Sequence, residues 1–279
     1  MIRILTDSSS GLTLNDAKKI GVEMVHMPIN FDGTEYIDGK DLNHEEFYKK
    51  LVESKNPPKT SAINQATFEE IFEDVKKKGE EMVVLLISSG LSVTNDQAMQ
   101  AKDAVGYDKI YIINSLATVA TLIALVMEAV RMRDSKMKGA DIAKELNVLV
   151  PKAKLFAYVD TLKYLRAGGR ISATSAVVGG LLNVKPIIIL TEGKLVNENK
   201  CVGAAKAKQY LLTKFKEYKN IDFSKPVYFG HAHTHKECEN LKAAAKQIHN
   251  FIDGGTWYIS ATVGTHTGPG AVLIAFFEK

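Results

Sequence analysis

The chain of 279 residues holds two cysteines, Cys201 and Cys238, one tryptophan and seven prolines. Two thiols cannot build a disulfide framework and stand in no metal-type spacing, so the sequence predicts reduced cysteines and a cytoplasmic setting. The 36 Lys and Arg exceed the 32 Asp and Glu by only four, and no block of like charge occurs. Nucleic acid is therefore not an expected partner. Nor is there an uninterrupted apolar run of about 18 residues, which argues against a membrane span and leaves only transient membrane contact open. The short apolar start "MIRIL" reads as a strand rather than a secretory leader. Neither GxGxxG nor GxxxxGK followed by Ser or Thr stands after a strand, so the usual nucleotide cradles are missing. No internal repeat or low-complexity tract is visible.

What is present is an ordinary globular composition, 46% hydrophobic and 24% charged, long enough for two domains. In the first half, apolar strands such as "MVVLLIS" (82–88) and "KIYIINS" (109–115) alternate with helical segments, which predicts a parallel sheet covered on both faces. "LATVATLIALVMEAV" (116–130) reads as a buried helix. "VVGGLLNVKPIIILTEGKLV" reads as strand, turn, strand, and "PVYFGHAHT", "WYISATVG" and "AVLIAFFE" read as further strands. The expected architecture is an N-terminal α/β domain, residues 1–154, with a mainly parallel sheet. A C-terminal α+β domain, residues 155–279, with a mixed or antiparallel sheet follows.

Chemistry concentrates in a few stretches. "SSGLSVTNDQA" joins a strand to a helix through Ser88, Ser89, Ser92 and Thr94, where a parallel sheet places its ligands and free helix N–H groups favour an anion. "KTSAIN" supplies Thr60 and Ser61, which taken alone read as the cap of the helix through Phe68. "DSSSGL" is a third hydroxyl-rich turn, in which Asp7 serves its own loop. "DTLKYLRAGGRIS" sets Arg166 and Arg170 beside a glycine pair, suiting them to a phosphate or a partner's carboxylate. In "GHAHTH", His231, His233 and His235 would share one face of a strand, and Asp7 or His266 could complete a metal set. Finally, "TVGTHTGPGAV" (262–272) crowds glycines, hydroxyls and His266 together. In an extended chain Thr265 and Thr267 would point one way and His266 the other.

In order along the chain, "DSSSGL", "TSAIN", "SSGLSVTNDQA", "DTLKYLRAGGRIS", "LLNVKPII" and "GTHTGPGA" together resemble the DegV family of bacterial fatty-acid-binding proteins. The resemblance implies a long-chain fatty acid buried between the two domains. Its carboxylate would be held by Thr60, Ser92 and His266, with Ser61 and Thr265 as neighbours. It also implies a carrier rather than an enzyme, with no cofactor. Such a carrier presents its ligand to a separate fatty acid kinase subunit, which makes acyl phosphate for phospholipid synthesis. Arg166 and Arg170 are the candidate partner-facing residues. Two departures stand out: Ala62, Ile63 and Asn64 replace the family's Gln-Pro pair, and Val93 replaces a glycine. The alternative from a different class is a metal-dependent hydrolase using His231 and His233.

Overall fold

The computed structural model describes residues 1–171 and 183–279. Its first sheet is the parallel one that the apolar strands predict. Glu23–Val25, Ile2–Asp7, Glu81–Leu86 and Ile110–Asn114 lie side by side in that order. Met82 through Leu86 are wholly buried because both faces are covered. Met82, Val84 and Leu86 pack with Phe68, Phe72 and Ala98 of the helices Gln65–Lys77 and Thr94–Val105. Val83 and Leu85 face the other way, toward the helix Val119–Asp134.

That helix is apolar almost all round, with Glu128 its one buried charge. A helix of this kind belongs inside a core rather than on a surface. It touches strands of both large sheets. Glu128 is matched by Lys225 Nζ at 2.8 Å and Arg131 Nη2 at 2.9 Å, so the charge is not buried alone.

The second large sheet is mixed and has six strands: Lys194–Val202, Val184–Thr191, Ala153–Tyr158, Val272–Phe277, Val227–His231 and Asp253–Tyr258. All neighbours run antiparallel except the last two. Alternation sorts its side chains: Leu155, Ala157 and Leu273 face the central helix, while Phe156, Ile274 and Phe276 face the helices Ala204–Glu217 and His235–Ile248. A small antiparallel sheet of Thr34–Ile37, Pro28–Phe31 and Lys59–Thr60 completes the fold. The α/β class with a parallel sheet followed by a mixed one is therefore as expected. The six-stranded sheet begins at Ala153, and the largest apolar cluster draws on both sheets.

Three local expectations are corrected. Residues 261–267 are a helix, not a strand continuing from Trp257. Gly264 lets this helix lie against helix His44–Glu53, where an added Cβ would stand 2.7 Å from Phe47 and Tyr48 atoms. Thr60 belongs to a strand, and the cap of the helix Gln65–Lys77 is Asn64, whose side chain accepts from Thr67 N. The strand carrying His231 ends there, and His233 has φ 61, so the alternate histidines share no strand face.

Candidate functional site

The loops that leave the carboxyl ends of the parallel strands converge, as such sheets require, on one place. Asp7 ends the first strand fully buried and fixes two loops at once. It accepts from Ser9 N at 2.8 Å and from Ile87 N at 2.6 Å. Burial raises its carboxyl to about 6. The loop after Leu86 is then clasped to the other sheet. Ser88 Oγ donates to the carbonyl of Gly193 at 2.7 Å, and a Cβ on Gly90 would meet that same oxygen at 2.6 Å. A turn at Glu192 and Gly193, both with positive φ, presents this carbonyl.

Between these loops and the helix Ala261–Thr267 lies a cavity of about 250 Å³. Thr60, Ser61, Ser92, His266 and Arg170 are on its wall, drawn from four distant parts of the chain. His266 Nε2 is 2.9 Å from Thr60 Oγ1. Burial, helped by the charge of Arg170, pushes the imidazole down to about 4, so it is neutral near pH 7. Its Nδ1 is buried without a partner among the described residues. Hydrogen-bond accounting then assigns the proton to Nε2, because the other tautomer would bury an unpaired N–H, which is costlier than an unpaired lone pair. Nε2 donates to Thr60, and the Thr60 hydroxyl is left free to donate into the cavity.

Ser92 Oγ lies 2.9 Å from Thr94 Oγ1, and Thr94 Oγ1 accepts from Ile63 N at 3.4 Å. The "TSAIN" and "SSGLS" segments are thereby joined through Thr94. On the opposite wall, Asp38 accepts from Thr262 N at 2.9 Å and Thr262 Oγ1 at 2.5 Å, which anchors the start of the His266 helix. Neither Asp38 nor Thr262 stood out in the sequence, since an isolated acid and a threonine far apart carry no local pattern.

Not every candidate residue lines this space. The Thr265 hydroxyl is buried and donates to Ala261 O at 3.0 Å, within its own helix. Arg166 is exposed on the short helix Lys163–Ala167 and lies off the cavity wall. Arg170 sits at the mouth, where Nε donates to Leu91 O at 3.3 Å and Nη1 donates to Gly168 O. Val93 is 56% exposed at the rim, so its bulk points largely to solvent. Ser172 of the "GGRIS" motif and Leu181 and Leu182 of "LLNVKPII" lie outside the described residues.

Inward of the polar wall a second, narrower cavity of about 30 Å³ continues between the sheets, lined by Val119, Leu155, Val159, Ile188 and Leu273 among others. Thr118, Leu195, Val263 and Thr267 border both cavities, and this shared boundary is the throat between them. The arrangement is polar donors at one end and a small apolar cavity behind.

The histidine-based alternative meets a different geometry. His231 Nε2 lies 3.3 Å from His235 Nδ1, while the His233 ring stacks on Tyr48. Among the described residues, no group of three or more His, Cys, Asp or Glu side chains could hold a metal ion. The hydrolase reading loses its ligand set. No helix among the described residues is long and apolar enough to cross a membrane.

A cavity walled by hydroxyls and an imidazole, with an apolar cavity behind it, set between a parallel and a mixed sheet, defines a two-sheet α/β fold with a candidate site at the seam. The family model described as "Uncharacterised protein, DegV family" matches residues 1–279, and the chain belongs to that family. It is 34% identical to a DegV domain-containing protein of Caldanaerobacter subterraneus subsp. tengcongensis, over 100% of this chain and 99% of the relative. Among solved structures it is similar to a stearic acid-binding protein of Eubacterium ventriosum: 26% identity, TM-score 0.91, 100% of this chain and 99% of that one covered. It is also similar to a fatty acid binding DegV family protein of Streptococcus agalactiae, with 26% identity, TM-score 0.88 and the same coverage.

Proposed function

We propose that this chain binds a long-chain fatty acid, with the carboxylate at Thr60, Ser92 and His266 and the tail running inward past Leu195 and Val263. The observation that carries this reading is the Thr60–His266 pair at the head of a passage whose far end is apolar. The fatty acids named for the relatives of Eubacterium ventriosum and Streptococcus agalactiae support it. A tail of ~15 methylenes gains about 12 kcal/mol gross on burial, from which several kcal/mol of binding entropy must be subtracted. Affinity therefore comes from the tail. The carboxylate cannot be buried unpaired, so the donors on the polar wall fix its position. Because the inner cavity of about 30 Å³ has room for roughly one water, a bound tail must part the side chains that line it.

The same proposal makes the chain a cytoplasmic carrier rather than an enzyme, divided near residue 154. It would hand its ligand to a separate kinase subunit that forms acyl phosphate for phospholipid synthesis. Exposed Arg166 and mouth-lining Arg170 are the residues for that contact.

Solvent extraction and mass spectrometry of the purified protein should yield a fatty acid, and calorimetry should show palmitate binding after delipidation. Protein that carries no acyl chain and ignores added palmitate refutes the reading. For the kinase step, Arg166→Ala should keep palmitate affinity and lower acyl phosphate turnover; unchanged turnover removes the arginine from that role.

A further inference from the structure

The throat between the two cavities holds two threonines, and they differ in one respect. Thr267 Oγ1 donates to Val263 O at 3.3 Å, within its own helix. Thr118 is 2% exposed, and its hydroxyl has no hydrogen-bond partner among the described residues. A buried hydroxyl left unsatisfied costs free energy, and each such group in a native structure calls for a physical explanation.

The backbone around Thr118 shows that its placement is enforced. Leu116 has φ 47 and Val119 has φ 44, both in the left-handed region. For a β-branched residue such as Val119 this conformation is a true outlier. Strained positions of this sort persist only where the surroundings over-determine them, and they gather at ligand clamps. Thr118 itself is extended between them, φ −155 and ψ 162; its side chain faces the Thr121 N–H in capping-box fashion without closing a hydrogen bond of good geometry, and it borders both cavities, so its O–H remains free to donate. The remaining throat residues, Leu195 and Val263, offer no hydrogen-bonding side chain.

We infer that Thr118 is a specificity-determining residue that recognises an oxygen carried on the acyl chain inward of the carboxylate, so that the preferred ligand class is hydroxy- or oxo-fatty acids. This inference rests on the fatty-acid reading above and names the class of acid. Plain methylenes passing the throat leave the Thr118 hydroxyl unpaired, whereas a chain hydroxyl or ketone at that depth accepts from it.

The test is calorimetric titration of delipidated protein with palmitate, α-hydroxypalmitate, β-hydroxypalmitate and a mid-chain hydroxystearate compared with stearate. At least one oxygenated acid should bind roughly fivefold tighter than its plain parent, the worth of one net hydrogen bond. Thr118→Val should tighten palmitate and abolish that gap, and Thr118→Ser should restore it. Palmitate and stearate binding with no oxygenated acid gaining affinity overturns the inference and leaves the fatty-acid reading standing. A gap that survives in Thr118→Val also overturns it. Binding of none of the acids brings down both. If Thr118→Val fails to fold, as its thermal transition would show, the wild-type panel still decides.

Discussion

The imidazole Nε2 of His266 stands 2.9 Å from the hydroxyl of Thr60, a residue 206 positions earlier in the chain. The pair joins the edge of the small antiparallel sheet to the helix Ala261–Thr267, and its outward-facing hydroxyl is the donor available to an anion in the cavity.

Removing either partner should weaken fatty acid binding. A hydrogen bond to a charged group is worth about 1.5–3 kcal/mol, so Thr60→Val and His266→Ala should each raise the palmitate dissociation constant roughly 10- to 100-fold. The double variant should cost much less than the sum, because the two act as a unit. Calorimetry on the three variants measures this, and fully additive losses would separate the residues.

Gly168 sets the position of the ring. An added Cβ there would lie 1.9 Å from His266 Nδ1. Gly168→Ala should therefore displace the imidazole and lower palmitate affinity as His266→Ala does. Gly169, at φ +66 with nothing near its absent side chain, is the control. Gly169→Ala should cost about 1 kcal/mol of stability through its backbone and leave affinity alone.

Filling the throat should discriminate by length. Val263→Phe places a ring between the two cavities, which should reduce palmitate binding more than octanoate binding. Overpacking at this buried position should also cost about 1–3 kcal/mol in denaturant unfolding. Equal losses for both acids would mean that tails do not pass this way.

Stability should fall on acidification. His266 and His231 are both held near 4 in the fold, from an ordinary 6.5, chiefly by burial. Between pH 6.5 and 4 the unfolded chain therefore binds two protons that the folded chain refuses, and stability drops as pH falls. Asp7 opposes this: raised to about 6 from 3.8, it takes up a proton in the folded state first. For these three groups, two against one leaves a net loss of about 1.4 kcal/mol per pH unit near pH 5, less after solvent screening. His26 and His44, also lowered by burial, act in the same direction. Urea midpoints at pH 7, 5.5 and 4.5 report it; a flat or rising series would contradict the assignment.

Much of the architecture was legible because burial on both faces leaves a direct mark. The stretch 82–87 is apolar at every position, and Glu81–Leu86 is an inner strand of the parallel sheet, as that pattern predicts. The hairpin turn at Glu192 and Gly193 was equally plain. The helix Ala261–Thr267 was not, since glycine, threonine and a following proline spell a turn by local preference. Its helicity is imposed from outside, by Asp38 at Thr262 and by the close seat of Gly264 on Phe47 and Tyr48. "GHAHTH" misled for the opposite reason: alternation suggested one face, but the strand stops at its first histidine. Four of the five hydroxyl and imidazole residues singled out do share one cavity, while Thr265 turns its hydroxyl into the helix. Thr118 and Asp38 gave no signal, because what distinguishes them is the absence of a partner and the presence of a distant one.

The bond from Ser88 to the Gly193 carbonyl, with Gly90 pressed against the same atom, makes each half of the polypeptide the missing wall of the other. A chimera that exchanged one half for that of a relative would have to reproduce this seam to within a few tenths of an ångström, or the container would leak. Variation in the shape of the cavity is accordingly confined to side chains that leave the seam untouched.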